Sequence, residues 1–302
     1  MADAASTSTA SQAAATRFSA LAEAGGSLLR HRPALFGALV LLIIAAMAVF
    51  SPWIAPYDPM QQVPWEARRA PLTLFDSGRF VLLGTDHLGR DLLSRIVYAS
   101  RITLIVSFTA VAISGCVGLV IGVIAGYFGR WMDVVCMRLV DVILAFPFEL
   151  LALSIVAVTG PSLPVVVVVM AIRIWVVYAR VVRGATLAVK EKDFVQAAVA
   201  LGASRLRVVL VHVLPNVLTP AIVIATLYVG RVILIESALS FLGIGVPAAT
   251  PTWGGILGDG RSYIDTAWWI AFFPGLAIMI TVLAVNLLGD WVRDHLDPRI
   301  QA

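Results

Sequence analysis

Apolar residues in this chain come in long unbroken blocks, not in the spaced stripes of a soluble amphipathic helix or the alternation of a half-buried strand. Pro33 to Tyr57, Ile102 to Gly129 and Thr266 to Gly289 carry no charged residue. Each exceeds the roughly 20 residues that a helix needs to cross a bilayer. Leu150 to Ile172 is also uncharged but is interrupted by Gly160-Pro161-Ser162, with Pro164 following. That interruption predicts a tight turn between two helices, about 137–159 and 163–183. A further apolar run, about 217–241, contains Arg231 and Glu236. The pattern predicts an all-α membrane protein with six transmembrane helices.

Composition agrees, since 60% of residues are hydrophobic and only 13% are charged, outside the usual range for soluble domains. The formal charge of +4 fits a bias in membrane orientation better than a nucleic-acid partner. Trp53, Tyr57, Trp131, Trp268, Trp269 and Trp291 fall where spans should meet water, as amphipathic rings prefer. Cys116 and Cys136 have no His or Cys neighbours at metal-ligand spacing and read as small packing residues. The apolar run after Arg30-His31-Arg32 is too long and too far into the chain for a cleaved signal peptide, so the first span, 31–57, is expected to be retained. Residues 1–30 read as a low-complexity cytoplasmic tail, disordered to about Gly26.

Six spans put both termini on one side. Of the 22 Lys and Arg, 13 fall on that side: Arg17, Arg30, Arg32, Arg130, Arg138, Arg180, Arg183, Lys190, Lys192, Arg205, Arg207, Arg293 and Arg299. The positive-inside rule makes it cytoplasmic. The 58–100 loop, with Arg101 at its edge, holds six Arg and counts the other way, but long loops translocate with weaker regard to charge. That loop is expected outside, and 101–302 is expected to be a core of five further spans.

Glu191 to Asn216 is too polar to span lipid and too patterned for a plain connector. Lys190 to Asp193 opens it, Gly202 breaks it, Ser204 is placed to cap a second short helix, and Leu214-Pro215 closes it. The stretch resembles the "EAA" motif of ABC-importer permeases, which runs Glu-Ala-Ala, three residues, Gly, nine residues, Ile, one residue, Leu-Pro. The matching positions are Gln196-Ala197-Ala198, Gly202, His212 and Leu214-Pro215, with Gln for Glu and Ile replaced by His.

More phrases extend the resemblance to the dipeptide/oligopeptide/nickel branch of these permeases. They are Leu83 to Asp91 with Ser94-Arg95, Met137 to Asp141 with Ala145-Phe146-Pro147, Glu236 to Gly243, Pro251 to Gly254, Asn286 to Asp290 and Leu296-Asp297-Pro298. The resemblance implies the ABC type I importer permease fold in a bacterial inner membrane. It implies that the 186–216 loop couples to an ATPase through Gln196, Ala197, Ala198, Gly202, Ala203, Ser204, Arg205, Leu214 and Pro215. It further implies four kinds of neighbour: a second homologous permease chain, two ATP-binding subunits that hold ATP and Mg, an extracytoplasmic solute-binding protein, and membrane lipid. The cargo expected is a dipeptide or oligopeptide, with nickel or glutathione as alternatives inside the family.

Three further groups stand out on their own chemistry. Gly118, Gly122 and Gly126 recur at four-residue spacing, which lets a neighbouring helix approach closely. Arg173, Arg231 and Glu236 are charges within predicted spans, costly unless paired or wetted, and mark a possible translocation path. His212 is a packing residue unless it touches the ATPase. Glu149 reads as a lone mid-span acid.

No Gly-x-x-x-x-Gly-Lys-Ser/Thr, His-Glu-x-x-His or Gly-x-Ser-x-Gly pattern occurs, so the chain is not expected to bind ATP, hold a metal or act as an enzyme. An ion-coupled secondary transporter is the rival from another class, and an assembly subunit of a larger membrane complex is a third. The secondary transporter needs an acidic or His relay inside the spans, and Asp141, Glu149 and Glu236 are too scattered to form one.

Overall fold

The computed structural model describes residues 26–76, 78–247 and 249–296. Most of the expected disordered tail, and the Asp297-Pro298 phrase, lie outside the described residues.

α1 (Arg32–Val49) begins where the His31 side chain accepts the Ala34 N–H at 3.3 Å. Pro33 occupies the first turn, where its missing N–H leaves no bond unmade. The helix breaks at Phe50, and a single further turn, Ser51–Ile54, completes the apolar block. α2 (Leu92–Phe128) starts well before the expected Ile102, because the Asp91 carboxylate accepts both the N–H and the O–H of Ser94 at 2.7 Å. The loop expected over 58–100 therefore ends at Asp91, and Arg95 and Arg101 are helical. Between α1 and α2 the chain makes a small antiparallel pair, β1 (Thr73–Leu74) and β2 (Phe80–Val81).

The helix expected over 137–159 is instead two. α3 (Arg130–Ala145) and α4 (Phe148–Thr159) meet at 85°. Pro147 drives Phe146 out of the helical region, to φ −85° and ψ 132°, and supplies no N–H of its own. With that pair counted as one broken span, the described residues hold six candidate spans, and otherwise five. α5 (Leu163–Lys190) is capped by Ser162 and runs past the expected end near 183. α6 (Asp193–Ala200) is short, and α7 (Arg205–Phe241) is 37 residues long.

α7 corrects a second boundary. Leu214-Pro215 does not close the hairpin; helix runs straight through it into the expected 217–241 span. A π-helical stretch, Val208–Val213, precedes the proline, and Leu214 N–H reaches back five residues to Val209 C=O. The wider turn changes register just where Pro215 cannot donate, so the helix continues. Beyond α7, α8 (Trp253–Gly260) folds back against it and against α9 (Trp269–Leu296).

The main core gathers Leu92 and Ile96 of α2, Met170, Ile174 and Tyr178 of α5, Ile233 of α7, and Trp253 and Ile256 of α8. Trp253 donates its indole N–H to Ile96 C=O at 3.0 Å, which ties α8 to the start of α2. Trp269 is a core residue, not an interface ring, and donates to Thr85 C=O at 3.1 Å. Trp53 and Trp131 are exposed. Cys116 is also exposed, on α2, and Cys136 is half-buried.

Candidate functional site

α6 ends in a Schellman motif around Gly202. Gly202 N–H bonds Val199 C=O at 3.0 Å, and Ala203 N–H bonds Ala198 C=O at 3.1 Å. Gly202 has φ +82°, a backbone region that a Cβ makes costly. Ser204 then caps α7 by accepting Arg207 N–H at 3.4 Å. The two limbs are fixed to one another by Phe194 and His212, whose ring centroids lie 6.3 Å apart. His212 thus packs inside the hairpin, and its C=O accepts from the Asn216 amide at 2.7 Å.

The inner face of the hairpin is a small apolar core of its own. Val195, Val208, Val213 and Val217 pack with Val123 of α2 and with Val182 and Val189 of α5. The outer face is open. Leu201 is 89% exposed and Leu206 69%, with Val199, Gln196, Ala197, Arg205 and Arg207 exposed beside them. The tip is thus an exposed apolar patch rimmed by cations. Leu214 is half-buried and Pro215 exposed, both at the base of α7 and not at the tip.

Behind the hairpin, the glycine stripe of α2 lies on α5. A Cβ at Gly118 would stand 2.3 Å from Tyr178 Cβ, one at Gly122 2.7 Å from Val182 Cβ, and one at Gly126 2.7 Å from Thr186 Cβ. The close neighbour is thus a helix of this same chain. Lys190, the last residue of α5, donates to Tyr127 C=O at the end of α2 at 3.0 Å, satisfying a carbonyl that the helix leaves unpaired. α3 is held to α5 by the pairs Arg180–Asp141 and Arg183–Asp133. Together these contacts make α2, α5 and the hairpin base one packed unit.

Arg173 of α5 and Arg231 of α7 line one cavity of about 240 Å³, together with Glu149 of α4 and Tyr228. The Arg231 guanidinium sits over the Tyr228 ring, 5.5 Å from its centroid. Glu149 is therefore not a lone mid-span acid. The break at Phe146-Pro147 puts it in the first turn of α4 and turns it toward the two arginines' cavity. Glu236 is elsewhere: fully buried, it accepts the Ser240 hydroxyl at 2.7 Å one turn on and does not line this cavity.

A buried ionic cluster at the opposite end from the hairpin escapes sequence reading. Asp86 accepts from Arg90 at 2.6 Å and from Arg95 at 2.5 Å, and both arginines reach Asp259 of α8 at 3.4 Å. The Gly-Thr-Asp and Gly-Arg-Asp phrases are thus more than turns. They lock the loop before α2 to α8, and only the clustering of opposite charges over residues 86–95 hints at it.

The chain matches two family models. Residues 118–302 match the binding-protein-dependent transport system inner membrane component, and residues 19–71 match the N-terminal TM domain of oligopeptide transport permease C. It is 43% identical to the di/tripeptide transport system permease protein DppC of Pseudomonas aeruginosa (strain UCBPP-PA14), over 94% of this chain and 93% of that one. The dipeptide transport system permease protein DppC of Alkalihalophilus pseudofirmus is 39% identical over 93% and 90%. A glutathione transport system permease protein, GsiD of Escherichia coli O1:K1 / APEC, is 39% identical over 90% and 88%. The structure also resembles a chain of the inward-facing MetNI methionine ABC transporter, with a TM-score of 0.58 at 19% identity over 68% of this chain and 98% of that one. That likeness is one of fold.

Proposed function

This chain belongs to the binding-protein-dependent transport system inner membrane component family, the multi-pass permease subunits of bacterial ABC importers, and on that premise we propose that it carries dipeptides and short oligopeptides inward. The observation that carries the peptide reading is 43% identity, along nearly the whole chain, to a di/tripeptide permease. Glutathione, itself a modified tripeptide, is the second reading, favoured by the 39% match to a glutathione permease. Membership of an ABC family disfavours the ion-coupled alternative.

Energy enters from outside the chain. Two ATP-binding subunits hold ATP and Mg, and one of them covers the apolar tip at Leu201 and Leu206. Both termini and the hairpin face the cytoplasm, while α8 and the 58–91 loop face the solute-binding protein outside. A second, homologous permease completes the pathway.

The fold gives the hairpin two outputs. α6 joins α5 through two residues, and the other limb is α7 itself. α7 is continuous helix from Arg205 to Arg231, about 39 Å at 1.5 Å per residue. Closure of the ATPase subunits displaces the tip, and α5 and α7 carry the displacement to the cavity at Arg173 and Arg231. That is how the bundle alternates between inward- and outward-open states.

Affinity purification of the tagged chain from native membranes in mild detergent tests the assembly. Co-purification of a second six-span permease and of ATPases with Walker motifs is expected. Recovery of this chain alone at every detergent strength would refute the proposed partners.

A further inference from the structure

Glu149, Arg173 and Arg231 share a depth as well as a cavity. Arg173 is ten residues after Leu163, the start of α5. Arg231 is ten residues before Phe241, the end of α7, and Glu149 is ten before Thr159, the end of α4. All three ends lie away from the hairpin, so each charge sits roughly 15 Å along its helix from that end, with Arg173 half-buried and Arg231 and Glu149 open to the cavity side of the chain. Three separate helices therefore deliver charge to one level.

None of the three is neutralised within the described residues. Arg231 has only the face of Tyr228, and Arg173 and Glu149 have no ion pair or hydrogen-bonding side chain. Five other arginines, Arg79, Arg90, Arg95, Arg180 and Arg183, meet carboxylates within this chain. Charges left open at membrane depth are costly unless water or a ligand meets them. Two guanidiniums lining one cavity attract an anion and offer the fork geometry that suits a carboxylate. The single carboxylate in the same lining suits an ammonium.

We propose that Arg173, Arg231 and Glu149 form a transit site for a zwitterion, in which the arginines take the C-terminal carboxylate of a passing peptide and Glu149 takes its N-terminal ammonium. This rests on the peptide reading above. The cavity of about 240 Å³ is just below the usual range of small-molecule pockets, roughly 300–1,000 Å³, which fits a di- or tripeptide and not a long chain. The lining carries two cations against one anion, so a bare divalent metal ion would be repelled. Because the limbs of the hairpin are α7 itself and α6, which joins α5 through two residues, movement there separates or joins the two arginines. The site grips in one state and releases in the other.

The test uses the complete transporter, purified with its partners, reconstituted with ATP inside and supplied with saturating binding protein loaded with labelled Ala-Ala. Arg173→Gln, Arg231→Gln and Glu149→Gln should each lower peptide turnover by about tenfold, the loss of one charge-assisted contact. Arg173→Lys and Glu149→Asp should retain most of it, and loaded binding protein should still stimulate ATP hydrolysis in all five. Wild-type turnover in the three Gln variants would overturn the transit site while leaving the peptide reading intact. Loss of the second permease from the Arg→Gln complexes would assign the arginines to the subunit interface and overturn it too. A wild-type transporter that moves no peptide would overturn both.

Discussion

Gly118 of α2 lies so close to Tyr178 of α5 that a Cβ on the glycine would stand 2.3 Å from the tyrosine Cβ and 2.6 Å from Trp175 C=O. The contact continues down the stripe at Gly122 and Gly126, toward the hairpin. Two backbones in such contact leave no room for adjustment, because the obstacles include backbone as well as side chain. The stripe packs α2 and α5 together as one body.

Replacing Gly122 with Leu should force α2 off α5. Overpacking of this kind costs about 1–3 kcal/mol, and more when the obstruction is backbone, here Ala179 C=O at 2.8 Å. Thermal unfolding of the purified complex should show a clearly lowered midpoint, whereas Gly184→Ala on α5, where a Cβ meets nothing within 4 Å, should not.

Gly202 gives a different kind of prediction, since a Cβ there also meets nothing within 4 Å but the backbone stands at φ +82°. Gly202→Val should strain the Schellman turn by about 1–2 kcal/mol and misplace the hairpin tip without unfolding the bundle. The ratio of peptide transported to ATP hydrolysed should fall, with the protein still in the membrane at normal level. Gly202→Asn, which tolerates that conformation better, should keep part of the coupling. An unchanged ratio in the Val variant would remove the hairpin from the coupling path.

Leu201 touches almost nothing in this chain, at 89% exposure. Leu201→Glu should therefore leave the midpoint of unfolding within about 0.5 kcal/mol of wild type. The same variant should reduce recovery of the ATPase subunits in a pull-down. Full recovery would place the ATPase contact elsewhere.

At the far end, Asp86 is wholly buried between Arg90 and Arg95. Asp86→Ala should leave two buried guanidiniums with only the longer contacts to Asp259, a loss of about 3–5 kcal/mol. Proteolysis of the 58–91 loop in detergent should speed up markedly compared with wild type. Loop cleavage at an unchanged rate would show that the cluster does not hold the loop to α8.

What could be read in advance follows from the range over which each signal acts. The uncharged blocks, the glycine stripe and the Gly202–Ser204 hairpin turn are local, and the structure shows spans, a close helix neighbour and a capped turn there. The break at Phe146 was also locally encoded, by Pro147, but an apolar run on both sides masked it. The early start of α2 is encoded locally by the Asp91–Ser94 cap, but the burial of Arg95 within it is not: Asp259, 164 positions away, shares its charge with Asp86. Likewise, nothing in the sequence around Leu214-Pro215 announces the π stretch that carries α7 through the proline. Arg173 and Arg231 stood out one at a time as membrane-depth charges. Their meeting with Glu149 depends on the 85° bend that turns α4.

The most direct test of the central claim is uptake of labelled dipeptide into proteoliposomes holding the complex purified through this chain. The account predicts uptake that requires ATP and loaded binding protein and is indifferent to a proton gradient. Uptake by this chain alone, driven by a proton gradient and unaffected by ATP, would contradict it.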